Sequence, residues 1–318
     1  MFTSQANVSS INQGMGIKIY RLTSVGIELM TLTLGLLLNL FLIIALIKDP
    51  LKTFKTPSSS FIFNIAFVDI LVCVFWIIET IFNLTSTVYR VNKKIVEVLY
   101  YVLIASIGIS PVLYLSLSIE RFCSVAFPLW HRVHITTRVC RYWLCVIWTI
   151  HIIFEILVSC LVPPEMDYEH RIAKGFEYGI ITLLRVGFPF LFTQVFYVAT
   201  YFSLKKQGEM FLKRLNISDD AIVSGRILKI RLLREKNFLC TIAVVCFILN
   251  FTFLPSILFR FFYFQLGQSH SIDPNIEQFI LISFSILLSF NFAINPIVYV
   301  WRLPKYRKTF KLLYCKFS

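Results

Sequence analysis

The chain has 318 residues, of which 57% are hydrophobic and 15% charged, with a mean hydropathy of +0.75 and a formal net charge of +14. A soluble domain of this length cannot bury so much apolar surface in one core, which excludes an ordinary soluble protein. The basic residues stand in short segments beside apolar runs, which favours contact with anionic lipid and argues against nucleic acid as a partner.

Seven apolar segments are long enough to cross about 30 Å of hydrocarbon as helices. They lie near residues 25–47, 60–84, 96–119, 142–162, 179–204, 238–263 and 277–301. We therefore predict an all-α membrane protein with a seven-transmembrane helix bundle over residues 25–301. Residues 1–24 form the N-terminal segment before the bundle, and residues 302–318 follow it as an amphipathic helix and a short tail.

The basic residues predict the orientation of the bundle. Segments 48–59, 127–141, 205–236 and 302–318 contain three, three, nine and six Lys and Arg residues, whereas the segments on the other side contain two, three, two and none. By the positive-inside rule we expect a multi-pass plasma-membrane protein with an extracellular N-terminus and a cytoplasmic C-terminus. Asn7 opens an Asn-Val-Ser sequon and is then a glycosylation site.

Several polar residues interrupt the apolar spans. Asp69 lies midway along the second span, Ser110 along the third, and Asn291 and Asn295 along the seventh. A charge near the middle of a membrane helix costs about 2.5–3.5 kcal/mol on insertion scales, so such residues suggest a function. Two interpretations stay open: a site for a small hard cation with water, or a hydrogen-bonded packing network without an ion.

The cytoplasmic end of the third span carries Glu120-Arg121-Phe122. Arg121 has three predicted arrangements: a local pair with Glu120, a pair across the bundle with Glu235 at the inner end of the sixth span, or extension to water. Either ion pair could close a cytoplasmic crevice.

The outer half of the predicted bundle contains Glu79, Arg185 and Arg260. Two guanidinium groups could clamp a carboxylate or phosphate of a ligand, whereas Glu79 could instead neutralise one of them in a structural pair. His151 and Glu155 share one face of the fourth span at i, i+4 spacing, and we interpret them as a buried hydrogen-bonded pair.

The segment after the seventh span alternates basic and apolar residues with helical periodicity, which predicts a helix lying on the cytoplasmic membrane surface. Cys315 near its end is a candidate for palmitoylation, with a bare thiol as the alternative.

Taken together, these features resemble the rhodopsin-like (class A) family of G-protein-coupled receptors, of which the chain looks like a divergent, orphan-type member. The matching residues are Asn39, Asn64-Ile65-Ala66-Phe67-Val68-Asp69, Glu120-Arg121-Phe122, Trp148, Pro189 with Tyr197, Phe253-Leu254-Pro255, and Asn295-Pro296-Ile297-Val298-Tyr299. The resemblance is specific because the motifs occur in order at the right relative spacing.

The resemblance implies a receptor that binds an extracellular ligand and activates heterotrimeric G proteins by outward movement of the sixth helix. The residues that it assigns to this switch are Glu120, Arg121, Tyr197, Glu235, Phe253, Pro255, Asn295, Pro296 and Tyr299. It also implies an allosteric sodium site at Asp69, Ser110, Asn291 and Asn295, and no other cofactor.

Departures from the family pattern narrow the expected ligand. Leu103 stands where amine receptors carry an aspartate, and Ser289 where opsins carry the retinal-linking lysine, so we expect neither a biogenic amine nor retinal. A peptide or an anionic small molecule, held by Glu79, Leu103, Arg185 and Arg260, remains. Val96 stands at the position of the usual third-helix cysteine, so no extracellular disulfide is expected.

Two other functional classes fit the chain less well. An enzyme is disfavoured because we find no nucleophile with a plausible base, no His-Glu-x-x-His motif and no phosphate-binding glycine loop. A transporter is the main alternative, but the inverted halves and paired interrupted helices typical of transporters are not evident.

Overall fold

The computed structural model describes residues 2–85, 93–161, 180–215, 233, 236–237, 239–241, 243–255, 258–259 and 274–315. These residues form helices joined by short turns, which confirms the predicted all-α fold. The helices are α1 (Phe2–Lys48), α2 (Pro57–Thr85), α3 (Lys93–Ala126), α4 (Pro128–His134), α5 (Thr137–Leu161), α6 (Phe188–Leu215), α7 (Leu239–Pro255), α8 (Pro274–Arg302) and α9 (Pro304–Tyr314).

Six helical segments in the described part of the chain are long and apolar enough to span a membrane. They are Tyr20–Lys48, Pro57–Thr85, Val98–Ala126, Thr137–Cys160, Ile180–Met210 and Phe279–Arg302. The shorter apolar helix α7 corresponds to the sixth predicted span, so the bundle has the predicted seven members. Two features were not predicted: α1 continues back to Phe2, and the short helix α4 lies between the third and fourth spans.

Proline sets several helix boundaries. Pro57, Pro128, Pro274 and Pro304 each occupy the first residue of a helix, where the missing N–H costs no hydrogen bond. No proline precedes Pro50, so nothing breaks the long helix α1 before its end.

A turn with positive backbone angles follows α1. Asp49 has φ 32° and Lys52 has φ 51°. The Asp49 carboxylate accepts hydrogen bonds from the backbone N–H groups of Thr53 at 2.8 Å and Phe54 at 3.0 Å, which holds the turn and directs the chain into α2.

The membrane-spanning helices differ in how much of their surface faces protein. In the apolar 18-residue stretch of each helix, 61% of the residues are buried in α3 but only 17% in α5. Helix α3 therefore lies at the centre of the described bundle, packed on α2 and α6, whereas α5 lies at its periphery and presents most of its surface to lipid.

The first and last spans lie close together. A Cβ atom added at Gly35 of α1 would come within 3.3 Å of the Ala293 backbone nitrogen of α8, so glycine permits this approach. The Asn39 side-chain amide donates to the carbonyl oxygens of Gly35 at 2.9 Å and Phe292 at 2.8 Å. Asn39 therefore fastens α1 to α8 by a hydrogen bond that lipid cannot replace.

Helix α9 packs against α1, α8 and the turn that precedes α2. Tyr306 is fully buried, with its ring centroid 4.7 Å from that of Phe54 and 6.0 Å from that of Tyr299. The Tyr314 hydroxyl donates to the Phe41 carbonyl at 2.9 Å. An apolar face of α9 is thus held on the bundle while Arg307, Lys308 and Lys311 are exposed, as the amphipathic pattern predicts.

Candidate signalling switch

A buried ionic cluster lies near the C-terminal end of α3. Arg121 donates from Nε to Glu120 Oε2 and from Nη2 to Glu120 Oε1, both at 2.7 Å. His131 of α4 places Nε2 2.9 Å from Oε1, and the Ser58 hydroxyl of α2 donates to Oε2 at 3.0 Å. The Glu120 side chain has no exposed surface, and four hydrogen bonds offset the cost of burying its charge.

The cluster answers part of the question left open for Arg121. The Arg121 side chain is only 14% exposed and its guanidinium is paired with Glu120, so it is not extended into water. Glu235 lies outside the described residues, so the pair across the bundle remains a prediction.

Three tyrosine hydroxyls lie buried between this cluster and the middle of the bundle. Tyr114, Tyr197 and Tyr299 belong to α3, α6 and α8, and none has a hydrogen bond of normal geometry within the described part of the chain. Tyr114 neighbours Tyr299, and Tyr197 neighbours Cys246 of α7. Buried hydroxyls without partners can form new bonds when the helices rearrange.

Helices α6 and α7 contact each other through an aromatic pair. Phe253 is buried, and its ring centroid lies 5.6 Å from that of Phe190. Pro255 ends the described run of α7, two residues beyond Phe253. The predicted Phe-Leu-Pro bend is thus placed where α7 contacts the fifth span.

A polar pocket occupies the middle of the bundle. The Asn295 amide nitrogen donates to Asp69 Oδ2 at 2.9 Å, and Pro296 is buried in the same part of α8. Asp69, Ser110, Asn291 and Asn295 are each about 1% exposed. The other Asp69 oxygen, the Ser110 hydroxyl, the Asn295 oxygen and both polar atoms of Asn291 have no protein partner within the described residues. A carboxylate, a hydroxyl and amide oxygens are the donor set of a small hard cation, so these residues fit sodium with water.

The outer half contains a second ionic cluster, which differs from the expected one. Arg185 of the fifth span donates from Nη2 to Glu155 Oε2 of α5 at 2.5 Å, whereas Glu79 accepts from the Asn83 amide at 2.8 Å. Within the described residues Arg185 is thus paired with Glu155 and not with Glu79, and the alternative pair of Glu79 with Arg260 stays a prediction. Arg260 lies outside the described residues, so a joint action of Arg185 and Arg260 is not addressed.

Glycine makes room for this outer cluster. Arg185 lies in a π-helical turn, Leu183–Gly187, and its side chain crosses the surface of α3 at Gly108. A Cβ atom at Gly108 would lie 2.8 Å from Arg185 Cδ and 3.3 Å from His151 Cε1. His151 donates from Nε2 to the Ala105 carbonyl at 2.8 Å and lies 3.7 Å from Glu155 Oε1, so its main partner is the backbone of α3.

The comparison with known protein families decides the class of the chain. The family model of the 7 transmembrane receptor (rhodopsin family) matches residues 38–299, which is most of the sequence. The chain belongs to the rhodopsin family of seven-transmembrane receptors. Melanocortin receptor 5 of Rattus norvegicus is similar to it, with 24% identity over 324 residues that cover 97% of this chain and 87% of the relative.

Membership of the rhodopsin family confirms the predicted class. The protein is a multi-pass membrane receptor that acts through G proteins in response to an extracellular ligand, and it is a receptor and not an enzyme. The matched range includes both ionic clusters and the polar pocket of this rhodopsin-family chain.

Two members of the ionic clusters were not identified in their roles from the sequence. His131 was not singled out, because its position opposite Glu120 depends on α4, which has only seven residues. Glu155 was paired with His151 because both lie on one helix, whereas its stronger partner, Arg185, stands 30 residues away. The local signal of the outer cluster in the sequence is Gly108, because a small residue in a membrane helix permits the close approach of a side chain from a neighbouring helix.

Proposed function

We propose that this receptor lies in the plasma membrane with its N-terminus outside, and that ligand binding moves α7 outward to open a cytoplasmic crevice for the C-terminus of a G-protein α-subunit. The observation that supports this most directly is the four-bond cluster on Glu120. Glu120 of α3 holds the adjacent Arg121 and also joins Ser58 of α2 and His131 of α4, at the end of the bundle that we take as cytoplasmic.

The proposed switch releases Arg121 from Glu120. Loss of the Phe190 to Phe253 contact would accompany the movement of α7, with Pro255 and Pro296 as hinges. Tyr197 and Tyr299, whose hydroxyls have no hydrogen bond of normal geometry among the described residues, would then turn toward Arg121. Glu235 would strengthen the closed state from the inner end of the sixth span. The ion pair of Arg121 with Glu120 would then exist in only one of the two states. A two-state switch requires such a contact, because a ligand shifts the equilibrium only through interactions that differ between the states.

Guanine-nucleotide exchange on purified heterotrimers tests the receptor function. Receptor reconstituted in lipid nanodiscs is mixed with G proteins of several α-subunit classes, and the exchange rate is compared with that for Arg121→Ala. We expect one class to respond to the wild type and none to the variant. Identical rates with both receptors for every class would contradict the proposal. Substrate flux in proteoliposomes, with no exchange, would favour a transporter.

For the ligand, we propose a peptide or an anionic molecule that enters from the extracellular side. Leu103 is buried and offers no charge to an amine. Of the two arginines in the expected clamp, Arg185 is the one that the structure describes. Its Nε has no hydrogen-bond partner in the described part of the chain. The relative from Rattus norvegicus is named for a melanocortin ligand, and we extend to this chain only the expectation of an extracellular agonist.

Two opposite substitutions test the anionic ligand. If the ligand contacts Arg185, Arg185→Ala should lower potency at least tenfold, since a charge-assisted hydrogen bond contributes about 1.5–3 kcal/mol. Glu155→Gln should raise potency, because it frees Arg185 from its competitor. Glu79→Gln is a control for general loss of negative charge in the outer half. If potency is the same in all three variants, the ligand does not use this arginine.

We propose sodium as an allosteric ligand of the polar pocket at Asp69, Ser110, Asn291 and Asn295. A bound cation would neutralise the Asp69 carboxylate and join α2, α3 and α8. The melting temperature of purified receptor should then be higher in sodium chloride than in choline chloride at equal ionic strength, and Asp69→Asn should abolish the difference. A difference that persists in the variant would place the ion elsewhere.

Two modification sites belong to this topology. Asn7 would carry N-linked glycan on the outside, and Cys315, which is exposed at the end of α9, would carry palmitate in the inner leaflet beside anionic lipid. Glycosidase treatment of the expressed receptor and of Asn7→Gln tests the first site. Antibody access to an N-terminal epitope on intact cells tests the orientation.

A further inference from the structure

A cavity of about 350 Å³ lies between α2, α3 and α5, away from the proposed switch and from the polar pocket. Small-molecule sites usually enclose about 300–1,000 Å³, so the volume is sufficient for a ligand. Residues that line it include Leu71, Phe75, Ala105, Ser106, Ile152 and Glu155.

The open side of this cavity faces the bilayer. Ile152 and Ile156 of α5 both line it, and they are 50% and 56% exposed on a helix that turns most of its surface outward. Large exposed aliphatic side chains on a peripheral membrane helix contact lipid tails. A ligand would therefore enter sideways from the membrane and not through the extracellular opening of the bundle.

Three polar side chains of the wall already donate their protons within the protein. The Ser106 hydroxyl donates its proton to the Val102 carbonyl at 2.7 Å, and the Ser159 hydroxyl donates to the Ile156 carbonyl at 2.8 Å. His151 uses its Nε2 proton on Ala105. These three protons are committed to the protein, so a ligand that brings its own donor finds acceptor oxygens on the two serines.

Glu155 supplies an acceptor, Oε1, which lies 3.7 Å from His151 Nε2 and so is too far away for a hydrogen bond to it. Its Oε2 is bonded to Arg185, but its buried Oε1 has no hydrogen bond within the described residues. The last torsion of a glutamate side chain is broad, so a small turn of the carboxylate presents Oε1 to a donor in the cavity. Because Glu155 and Arg185 neutralise each other, the site has no net charge to attract an ion.

We propose that this cavity binds a neutral lipophile with a hydroxyl group, which enters from the bilayer and donates its proton to Glu155 Oε1. Sterols, long-chain alcohols and monoacylglycerols share this chemistry. The apolar walls hold the hydrocarbon part, and the hydroxyl satisfies an acceptor that would otherwise stay unpaired in a medium of low dielectric constant.

Photolabelling of the intact receptor tests this site. Purified full-length receptor in nanodiscs is irradiated with a diazirine-bearing long-chain alcohol or with its methyl ether, and labelled peptides are mapped by mass spectrometry. We expect the alcohol to label the cavity residues about tenfold more than the ether, because only the alcohol can donate a hydrogen bond to a charged group.

A matched pair of substitutions on α5 separates this site from general lipid contact. Ile152→Trp fills the cavity and should abolish the labelling, whereas Ile150→Trp, at a residue that is 62% exposed and does not line the cavity, should leave it unchanged. Melting temperatures confirm that both variants are folded, and Ile156→Trp replaces Ile152→Trp if that variant is not.

Competition identifies the natural source of the hydroxyl. Excess cholesterol or excess monooleoylglycerol should displace the probe. The stronger competitor identifies which class of membrane lipid occupies the cavity. Equal labelling by alcohol and ether, equal loss in both tryptophan variants, or no displacement by either lipid or by unlabelled alcohol would overturn the proposal. The assay needs no agonist and no G protein, so its failure would leave the proposed receptor function untouched.

Discussion

In the described part of the chain, two carboxylates near opposite ends of the bundle are each paired with an arginine, the buried Glu120 and the half-buried Glu155, and their surroundings differ. Glu120 has both oxygens fully used by Arg121, His131 and Ser58. Glu155 has one oxygen on Arg185 and the other without a hydrogen bond in the described part of the chain. A fully satisfied buried carboxylate rigidifies its surroundings, whereas a partly satisfied one can accept a further partner. The inner cluster is thus suited to a lock and the outer cluster to a binding site.

The largest effect should come from removing the inner carboxylate. Glu120→Leu removes the carboxylate that accepts two hydrogen bonds from Arg121, and breaking a buried ion pair costs about 3–5 kcal/mol. We expect a lower melting temperature and a higher agonist-free rate of nucleotide exchange. Glu155→Leu removes fewer hydrogen bonds and should lower the melting temperature less. If Glu155→Leu is the more damaging change, the distinction between the two clusters fails.

The bond from α4 to the inner cluster should have the next largest effect. His131→Phe keeps an aromatic ring but removes the Nε2 donor from Glu120, a loss of about 1.5–3 kcal/mol for a bond to a charged group. Basal nucleotide exchange should rise. His134→Phe, on the exposed side of the same helix, provides the control. Equal exchange rates in the two variants would show that α4 does not support the lock.

Helix packing at the outer cluster can be disturbed without changing any charge. Gly108→Ala places a methyl group within 2.9 Å of Arg185 Cγ, so the arginine side chain that bonds Glu155 must shift. Overpacking of this kind costs about 1–3 kcal/mol, which should lower the melting temperature. Gly26→Ala meets no atom within 4 Å and should be neutral or slightly stabilising. A neutral Gly108→Ala would mean that Arg185 adapts without loss.

The smallest expected effect concerns the α2 contact of the inner cluster. Ser58→Ala removes one of four hydrogen bonds on Glu120 and leaves no donor unpaired, so we expect a loss of about 1 kcal/mol. Thermal unfolding measures it, with Ser60→Ala on the same helix as the control. A loss as large as that of Glu120→Leu would show that the bonds act as a single unit.

The sequence predicted features that depend on neighbours along the chain. The apolar spans are visible because a helix must satisfy its own backbone in lipid, and the pair of Glu120 with Arg121 is visible because the two are adjacent. The contact of Arg185 with Glu155 is not, since it depends on the rotation of two helices and on the π-helical turn at Leu183–Gly187. The length of α1 was also missed, because its first residues are polar and a hydropathy pattern marks only the apolar part of a helix.

The hydrogen bond between Asn39 and the Phe292 carbonyl has a consequence for synthesis. These residues are 253 positions apart, so at roughly 5–20 residues per second the first span waits on the order of ten seconds to a minute for its partner. During this interval the Asn39 amide must be shielded by the translocon or by a chaperone. Chains that terminate before α8 would keep this polar group exposed to lipid, which gives membrane quality control a feature by which to recognise unfinished copies.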